Sequence, residues 1–337
     1  MKILLTGSKG FIGSHVLARL KDHKVDEIDS MEYQVHGWTG SYKKDRAGEA
    51  VFGTRDIVIH LAALVGVGQS MYEPARYVEC NSLDSARFLE NLTKNKPKRL
   101  VVASSMSVYG EGAIPDAVGQ WDKSRTANIS KWNGSIGTNE FTRPQIESVY
   151  ALTKYDQEQL CLIWGKANGV EVVALRFFNT WGPNQALNNP YTGVLTIFAN
   201  RLLNGKAPII FEDGQQTRDF VHVDDVANAV VHAATNDIPS GVYNVGTGIA
   251  RTIESVALDL AEAMGSDIKP EITGKMRAGD IRHCYADIDK IRATGWAPAK
   301  DWKAGLLEYV QWLKTQPRPK DDAEKAIAEL EERGLLK

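Results

Sequence analysis

The chain has 337 residues, 43% of them hydrophobic and 24% charged, with a formal net charge of −2. That length holds one large or two modest domains with a real core, and the near-neutral balance argues against a nucleic-acid or membrane-surface binder. Cys80, Cys161 and Cys284 stand far apart, with neither metal-ligand spacing nor a disulfide framework, so a reducing, cytoplasmic setting is expected.

The N-terminus has no signal-peptide anatomy, and no apolar run is long enough to span a bilayer. Residues 2–6 read as a short buried strand. Gly7-Ser8-Lys9-Gly10-Phe11-Ile12-Gly13 then opens a helix through about Leu20. In a strand, glycine turn and helix, the glycines let backbone approach a pyrophosphate, and the helix start offers unpaired N–H groups. The spacing is G-x-x-G-x-x-G. Val25 to Asp29 reads as the second strand, and an acid at such a strand end binds a ribose hydroxyl. Asp29 is the candidate, with Glu27 behind it; either carboxylate would repel a 2′-phosphate and so favours NAD over NADP. Lys9 pulls weakly the other way.

A short third strand is expected around Tyr33–Trp38, then a buried strand at Asp56–Leu61 running into Ala62-Ala63. Met71 to Leu92 reads as a long helix carrying Asn81. Arg99–Ala103 is the next strand, and it enters the polar cluster Ser104-Ser105-Met106-Ser107-Val108-Tyr109-Gly110. The stretch 112–144 is a long excursion, expected to cover or shape a pocket. The run after Tyr150 is helical, which puts Tyr150 and Lys154 on one face, where an ammonium can favour a phenolate. Val170–Asn179 is a strand ending at Trp181-Gly182-Pro183. This alternation predicts an α/β, Rossmann-type, doubly wound parallel sheet.

Beyond Gly182 a smaller lobe is expected, interleaved with returns to the sheet. Its elements are a helix at Val194–Leu203, a strand at Ile209–Phe211, a strand at Arg218–Val223 and a helix at Asp224–Ala234. A strand at Gly241–Gly246, a helix at Ile253–Met264 capped by Thr252, a helix at 302–314 and a solvated helical tail at Asp321–Arg333 follow. The division is 1–180 for the Rossmann part, with 218–246 returning to it, 181–217 and 247–317 for the lobe, and 318–337 for the tail. His60 and His222, each in an apolar strand, read as structural, and no metal constellation is present.

Seven motifs in register resemble the extended short-chain dehydrogenase/reductase family, and in particular its nucleotide-sugar 4-epimerases. They are Gly7-x-x-Gly10-x-x-Gly13, His60-Leu61-Ala62-Ala63, Ser104-Ser105-x-x-Val108-Tyr109-Gly110, Tyr150-x-x-x-Lys154, Arg176-Phe177-Phe178-Asn179-x-x-Gly182-Pro183, Arg218-Asp219-Phe220-Val221-His222-Val223-Asp224-Asp225 and Arg277-x-Gly279-Asp280-x-Arg282. The segments 65–73 and 103–112 look most like dTDP-L-rhamnose 4-epimerases; the whole is also similar to UDP-glucose 4-epimerases.

The resemblance implies that Gly7, Gly10, Phe11, Ile12 and Gly13 hold the NAD pyrophosphate, that Asp29 takes the adenosine ribose, and that Ala62 and Asn81 lie along the cofactor. It implies Tyr150 as catalytic base, Lys154 as ligand of the nicotinamide ribose that lowers the Tyr150 pKa, and Ser105 as hydrogen-bond partner of the sugar oxygen. Asn179, Arg218, Arg277 and Arg282 would contact the sugar nucleotide, with Val194, Leu195, Ile209 and Phe211 lining the base pocket. It further implies a homodimer built from the helix after residue 70 and the Tyr150 helix, and a dTDP- or UDP-linked sugar as substrate. A 4,6-dehydratase of the family carries an acidic pair at Met106 and Ser107, and a uronate decarboxylase a Glu at Ser107. A 4-ketoreductase would use NADPH, and a non-catalytic nucleotide sensor would lack the Ser, Tyr or Lys.

Overall fold

The computed structural model describes residues 1–30, 43–44, 47, 53–112, 137–187, 193–277, 280–319, 321 and 323–336. Seven parallel strands form the main sheet in the order Gly241–Val245, Glu171–Phe177, Arg99–Ser105, Ile57–His60, Lys2–Thr6, Lys24–Asp29 and Lys43–Lys44. The chain winds outward both ways from Lys2–Thr6, the doubly wound order that opens a crevice beyond the first strand's C-terminal end. The third strand expected at Tyr33–Trp38 and the excursion over 113–136 lie outside the described residues.

Helices cover both faces, so the strands read as continuous apolar runs rather than alternating ones. Alternate side chains still divide between two cores. Ile3, Leu5, Ile59, Val101, Val173 and Leu175 pack against Val16 of the helix Phe11–Arg19 and Val226 and Val230 of the helix Val223–Thr235. Leu4, Val58, Leu100, Val102, Val172 and Ala174 pack against Phe88, Leu92 and Cys161 on the other face. A third core, with Trp181, Phe198, Phe220, Val256, Leu260, Tyr309 and Leu313, belongs to the smaller lobe. Cys284, Ala286, Ile288, Ile291 and Trp296, expected in that lobe, pack in the sheet's own core.

The helix expected from Met71 begins at Pro74, where proline suits a first turn. It runs through a π-turn at Val78–Leu83 into the helix Asp84–Lys94. The strand expected at Arg218–Val223 is two strands in different sheets. Thr217–Arg218 pairs with Arg251–Thr252 and His283–Cys284, whereas Phe220–His222 pairs with Asn179–Trp181. The break is at Asp219. Its buried carboxylate accepts from Thr247 N at 2.8 Å, Thr247 Oγ1 at 2.6 Å and Gly248 N at 2.8 Å, while its carbonyl accepts from Asn179 N at 2.9 Å. Thr252 caps the helix Ile253–Met264, accepting from Ser255 N at 3.1 Å.

The tail is a surface helix, as expected, but it is not merely solvated. Its helix is Ala323–Glu332, and it docks by several side chains. Leu330 and Leu336 are buried, Arg201 and Lys206 pair with Asp321 and Glu324, and Lys275 pairs with Glu331. Leu336 bridges the backbone of Arg277, and the Arg333 guanidinium lies 4.3 Å from the centre of the Tyr72 ring. Among the described residues, no helix is long and apolar enough to cross a membrane.

Candidate active site

The glycine turn is shaped by close backbone approach. Gly7 has φ of 72°, and a Cβ there would lie 2.8 Å from Ala62 N, so the first turn and the Ala62 loop touch. A Cβ on Gly13 would stand 1.9 Å from the Gly7 carbonyl oxygen. The Gly10 N–H donates to that same oxygen at 3.1 Å, and Gly10 is the extended N-cap of the helix begun by Phe11 and Ile12. Ser8 Oγ is buried in the turn with no hydrogen-bond partner. Asp29 ends its strand beside the turn and accepts from Lys9 N at 2.8 Å, while the Lys9 ammonium pairs with Glu27. Backbone room, a fresh helix start, an unused hydroxyl and a strand-end carboxylate together fit a dinucleotide. Gly13→Ala is expected to destabilise the fold by about 1–3 kcal/mol through overpacking. It should also strip NAD from the protein, read as loss of the 260 nm shoulder and of calorimetric NAD binding.

The second wall is the helix Val149–Asn168, fixed at both ends. Ser148 Oγ accepts from Ala151 N at 3.1 Å, and Gly169 closes it in the left-handed conformation. Ser70 Oγ accepts from Tyr150 N at 3.0 Å, which locks the first turn against the short helix Val67–Ser70. Ser105 ends the strand Arg99–Ser105, and its hydroxyl lies beside the Tyr150 phenol. Ser105 Oγ also meets Ser107 Oγ at 3.0 Å and accepts from Ser107 N at 3.2 Å.

Lys154 is buried one turn beyond Tyr150. Its ammonium donates to Gln157 Oε1. The expectation that it draws down the Tyr150 pKa is corrected here. Burial pushes the phenol up, and the Ser105 hydroxyl beside it is what lowers it. Burial brings Lys154 itself down to about 8.

Asn81, expected along the cofactor, is fully buried. Its amide accepts from Leu64 N at 2.8 Å and donates to Leu64 O at 3.0 Å and to Thr153 Oγ1 at 3.0 Å. It pins the loop after Ala62 to the Tyr150 helix rather than facing the crevice.

Of the residues expected to contact the sugar nucleotide, Asn179 has its Oδ1 buried without a partner. The Arg218 guanidinium donates to the carbonyls of Thr217 at 2.8 Å and Arg282 at 3.2 Å, and to that of Ile281. Burial lowers its pKa, the carboxylates of Asp280 and Glu111 opposing. Arg277 forms a bidentate pair with Asp280 at 3.1 and 2.6 Å and lies over Phe211.

Arg282 is a correction. It is 1% exposed, and its guanidinium is held by Asp213 at 2.6 and 2.7 Å and by Glu212 at 3.0 Å, so its charge is spent inside the lobe. Leu195 is a second correction, packed in the lobe's core, whereas Val194, Ile209 and Phe211 are half-buried.

Sequence reasoning missed two groups. Gln157 joins Lys154 to His60. Glu158 holds Arg176 Nε at 2.8 Å and Nη2 at 2.7 Å and accepts from Ser104 Oγ at 2.7 Å, directly behind the site. Both follow Lys154 on the helix faces turned inward, a signal available from spacing alone.

His60 and His222 are both buried. Burial holds His60 at about 3 and His222 at about 4. His222 Nδ1 accepts from Asp224 N at 3.2 Å, capping the helix Val223–Thr235. The Lys300 ammonium pairs with both Asp224 and Glu308, whose carboxylates lie near His222. An unfolded chain takes up two protons near pH 6.5 that the folded one refuses, so stability is full above that pH and declines as pH falls toward 4. The urea midpoint is expected to drop between pH 7.5 and pH 5, with a shallower drop in His60→Asn.

A model of the NAD dependent epimerase/dehydratase family matches residues 3–246. The chain belongs to that family. A dTDP-L-rhamnose 4-epimerase of Burkholderia thailandensis is 30% identical, the match covering 93% of this chain and 94% of that one. A UDP-N-acetyl-alpha-D-glucosaminuronate decarboxylase of Bacillus cytotoxicus is 26% identical over 93% and 98% of the two chains. Among solved structures, a UDP-N-acetylglucosamine 4-epimerase from Methanobrevibacter ruminantium in complex with UDP-N-acetylmuramic acid superposes with a TM-score of 0.82 at 31% identity, covering 94% and 99%. The Thermus thermophilus UDP-glucose 4-epimerase in complex with NAD gives 0.78 at 27% identity, covering 94% and 100%. The protein is thus an NAD-dependent enzyme with the Rossmann-type sheet the sequence predicted.

Proposed function

We propose that this enzyme epimerises a nucleotide-diphosphate hexose at C4 through a transient 4-keto sugar. The observation that carries the reading is the Tyr150 phenol beside the Ser105 hydroxyl, with Lys154 buried one helical turn further on. Tyr150 accepts the C4 hydroxyl proton, with Ser105 bridging, and returns it after the sugar has turned over. Bound NAD supplies the acceptor and donor of the C4 hydride. Gly7, Gly10, Phe11, Ile12 and Gly13 hold its pyrophosphate, Asp29 its ribose, and Ala62 its flank, while Lys154 faces the nicotinamide ribose. Arg218 and Arg277 receive the sugar-nucleotide phosphates, Arg277 exchanging Asp280 for them. Asn179 takes the sugar, and Val194, Ile209 and Phe211 flank the base.

Two sister reactions fit less well. Dehydration needs a group to remove the C5 proton and another to protonate the 6-hydroxyl. Met106 is buried, and Ser107 is tied to Ser105, so neither offers a carboxyl. Decarboxylation lacks its Glu for the same reason. The carboxylate of Asp29 argues against an NADPH-linked reductase. The base and sugar are decided by incubating the protein, without added cofactor, with dTDP-L-rhamnose, UDP-glucose, UDP-galactose and UDP-glucuronate and reading products by NMR. A C4 epimer with no net NADH is the expected product; loss of water, loss of CO₂ or a requirement for NADPH would overturn the reading.

A homodimer is part of the proposal. Val78 and Leu83 are 45% and 43% exposed on one helical segment, and Leu152 and Ile163 are 51% and 67% exposed on one face of the Tyr150 helix. Pairing these two helices with their copies would bury these four apolar side chains. Light scattering should give twice the 37.2 kDa chain mass, and Leu152→Glu with Ile163→Glu should give monomers.

A further inference from the structure

A buried chain of hydrogen bonds runs from Lys154 to the cofactor crevice. An ammonium only donates, so the Gln157 atom it meets is the carbonyl Oε1. That turns Gln157 Nε2 toward His60 Nε2 at 2.9 Å, Ser85 Oγ at 2.8 Å and Ala62 O at 3.3 Å. Ser85 Oγ gives its own proton to Asn81 O at 2.6 Å, so it accepts from the amide. His60 is neutral, and with Nε2 accepting, its proton sits on Nδ1, which meets Thr6 Oγ1 at 2.7 Å. Thr6 Oγ1 also accepts from Ala62 N at 3.2 Å. Lys154, Gln157, His60, Ser85 and Thr6 are all buried. A flipped Gln157 amide would aim Oε1 at lone pairs and an N–H at the ammonium, so one orientation avoids setting donor against donor, its two N–H groups shared among the three acceptors.

We propose that Gln157 is the positioning residue of Lys154, presenting a neutral, oriented carbonyl that fixes the ammonium and ties it through His60 and Thr6 to the Ala62 wall of the crevice. The inference rests on the proposed role of Lys154 toward the nicotinamide ribose. Neutrality matters because a carboxylate at the same place would hold Lys154 as a permanent cation, whereas an amide leaves it able to exchange its proton near neutral pH. The other groups facing Lys154 do not supply that hold. Glu158 is engaged by Arg176 and Ser104. The Cys161 thiol is pushed up to about 12 by burial. Cys80, from the π-turn, is a further group that raises the Lys154 pKa.

The test is the titration of Lys154 in the NAD-loaded protein, followed by the NMR signal of lysine labelled with ¹³C at Cε and identified by its loss in Lys154→Met. Wild type is expected to titrate near 8. Gln157→Glu should raise that value by about one unit or more, and Gln157→Met should lower it. Thr6→Val leaves Gln157 in place and keeps a similar shape, so it serves if the Gln157 variants fold poorly. It removes the acceptor of His60 Nδ1–H, lets the imidazole proton move to Nε2, turns the amide and should also lower the value. In turnover, the pH dependence of kcat should move with the NMR value while KM stays. A Lys154 signal unmoved by Gln157→Glu and by Thr6→Val would overturn the proposal. Full turnover in Lys154→Met would instead remove the reading of Lys154 on which it rests, and the NMR arm would still report whether Gln157 holds the ammonium.

Discussion

Tyr150→Phe is expected to cut kcat by about 10²–10⁴-fold, the range for loss of one positioned proton-transfer group. The phenyl ring keeps the edge contact with Tyr77 and the helix start keeps its Ser148 cap and Ser70 anchor, so folding and NAD binding should survive. The lost group is the hydroxyl that lies beside Ser105. In the resting arrangement burial keeps that phenol protonated. Its activation must therefore come with ligands in place, and the rate should rise with pH until the phenol ionises. The comparison is steady-state kinetics on the sugar identified above, with the NAD content of both proteins measured by absorbance. A phenylalanine variant with undiminished kcat would remove Tyr150 from the chemistry and leave Ser105 without its proposed partner.

The largest stability effect is expected at Glu158. This carboxylate is fully buried, and Arg176 is 4% exposed. Their bidentate pair is completed by Ser104 Oγ on the carboxylate and by the Tyr109 ring 4.6 Å from the guanidinium. Burying two charges costs much of what their attraction returns, so the pair as a whole adds little. Removing one partner is another matter, since it strands a buried cation. Glu158→Ala should therefore lose about 3–5 kcal/mol, read as a fall in the urea midpoint at unchanged slope. Glu158→Leu with Arg176→Leu should lose much less than the sum of the two single changes. Equal and additive losses would mean that the pair is not acting as a unit. Ser104 and Tyr109 flank Ser105 on the strand end and the turn after it, so the single variant should also loosen the serine's hold on Tyr150.

Much of this was legible because the signals are local. The glycine turn, Asp29 at its strand end, the Tyr150–Lys154 face and the helices Val194–Leu203 and Ile253–Met264 follow from spacing and periodicity within short windows. What escaped was decided by partners far along the chain. Nothing near Arg218 shows that the Asp219 carboxylate will be taken up by Thr247 and Gly248 where the run divides between two sheets. Nothing near Arg282 shows that Asp213 and Glu212 will take its charge. Leu195 and Val194 are adjacent and equally apolar, yet one faces the core and the other is half-buried, a difference set by helix rotation. Asn81 is a polar residue in a π-turn, and its use as a clasp for Leu64 depends on that extra residue in the helix.

The helix Ala323–Glu332 and the strand contact at Leu336 bear on how the enzyme is made. Domains form as units in the order of synthesis, and the Rossmann sheet is complete once Val245 has paired. Arg277, by contrast, meets the backbone of Leu336, and Tyr72 the Arg333 guanidinium, once the tail is made. The seven strands can therefore pair while residues after 320 are still emerging, and the braces that the tail lends to Arg277 and Tyr72 come last.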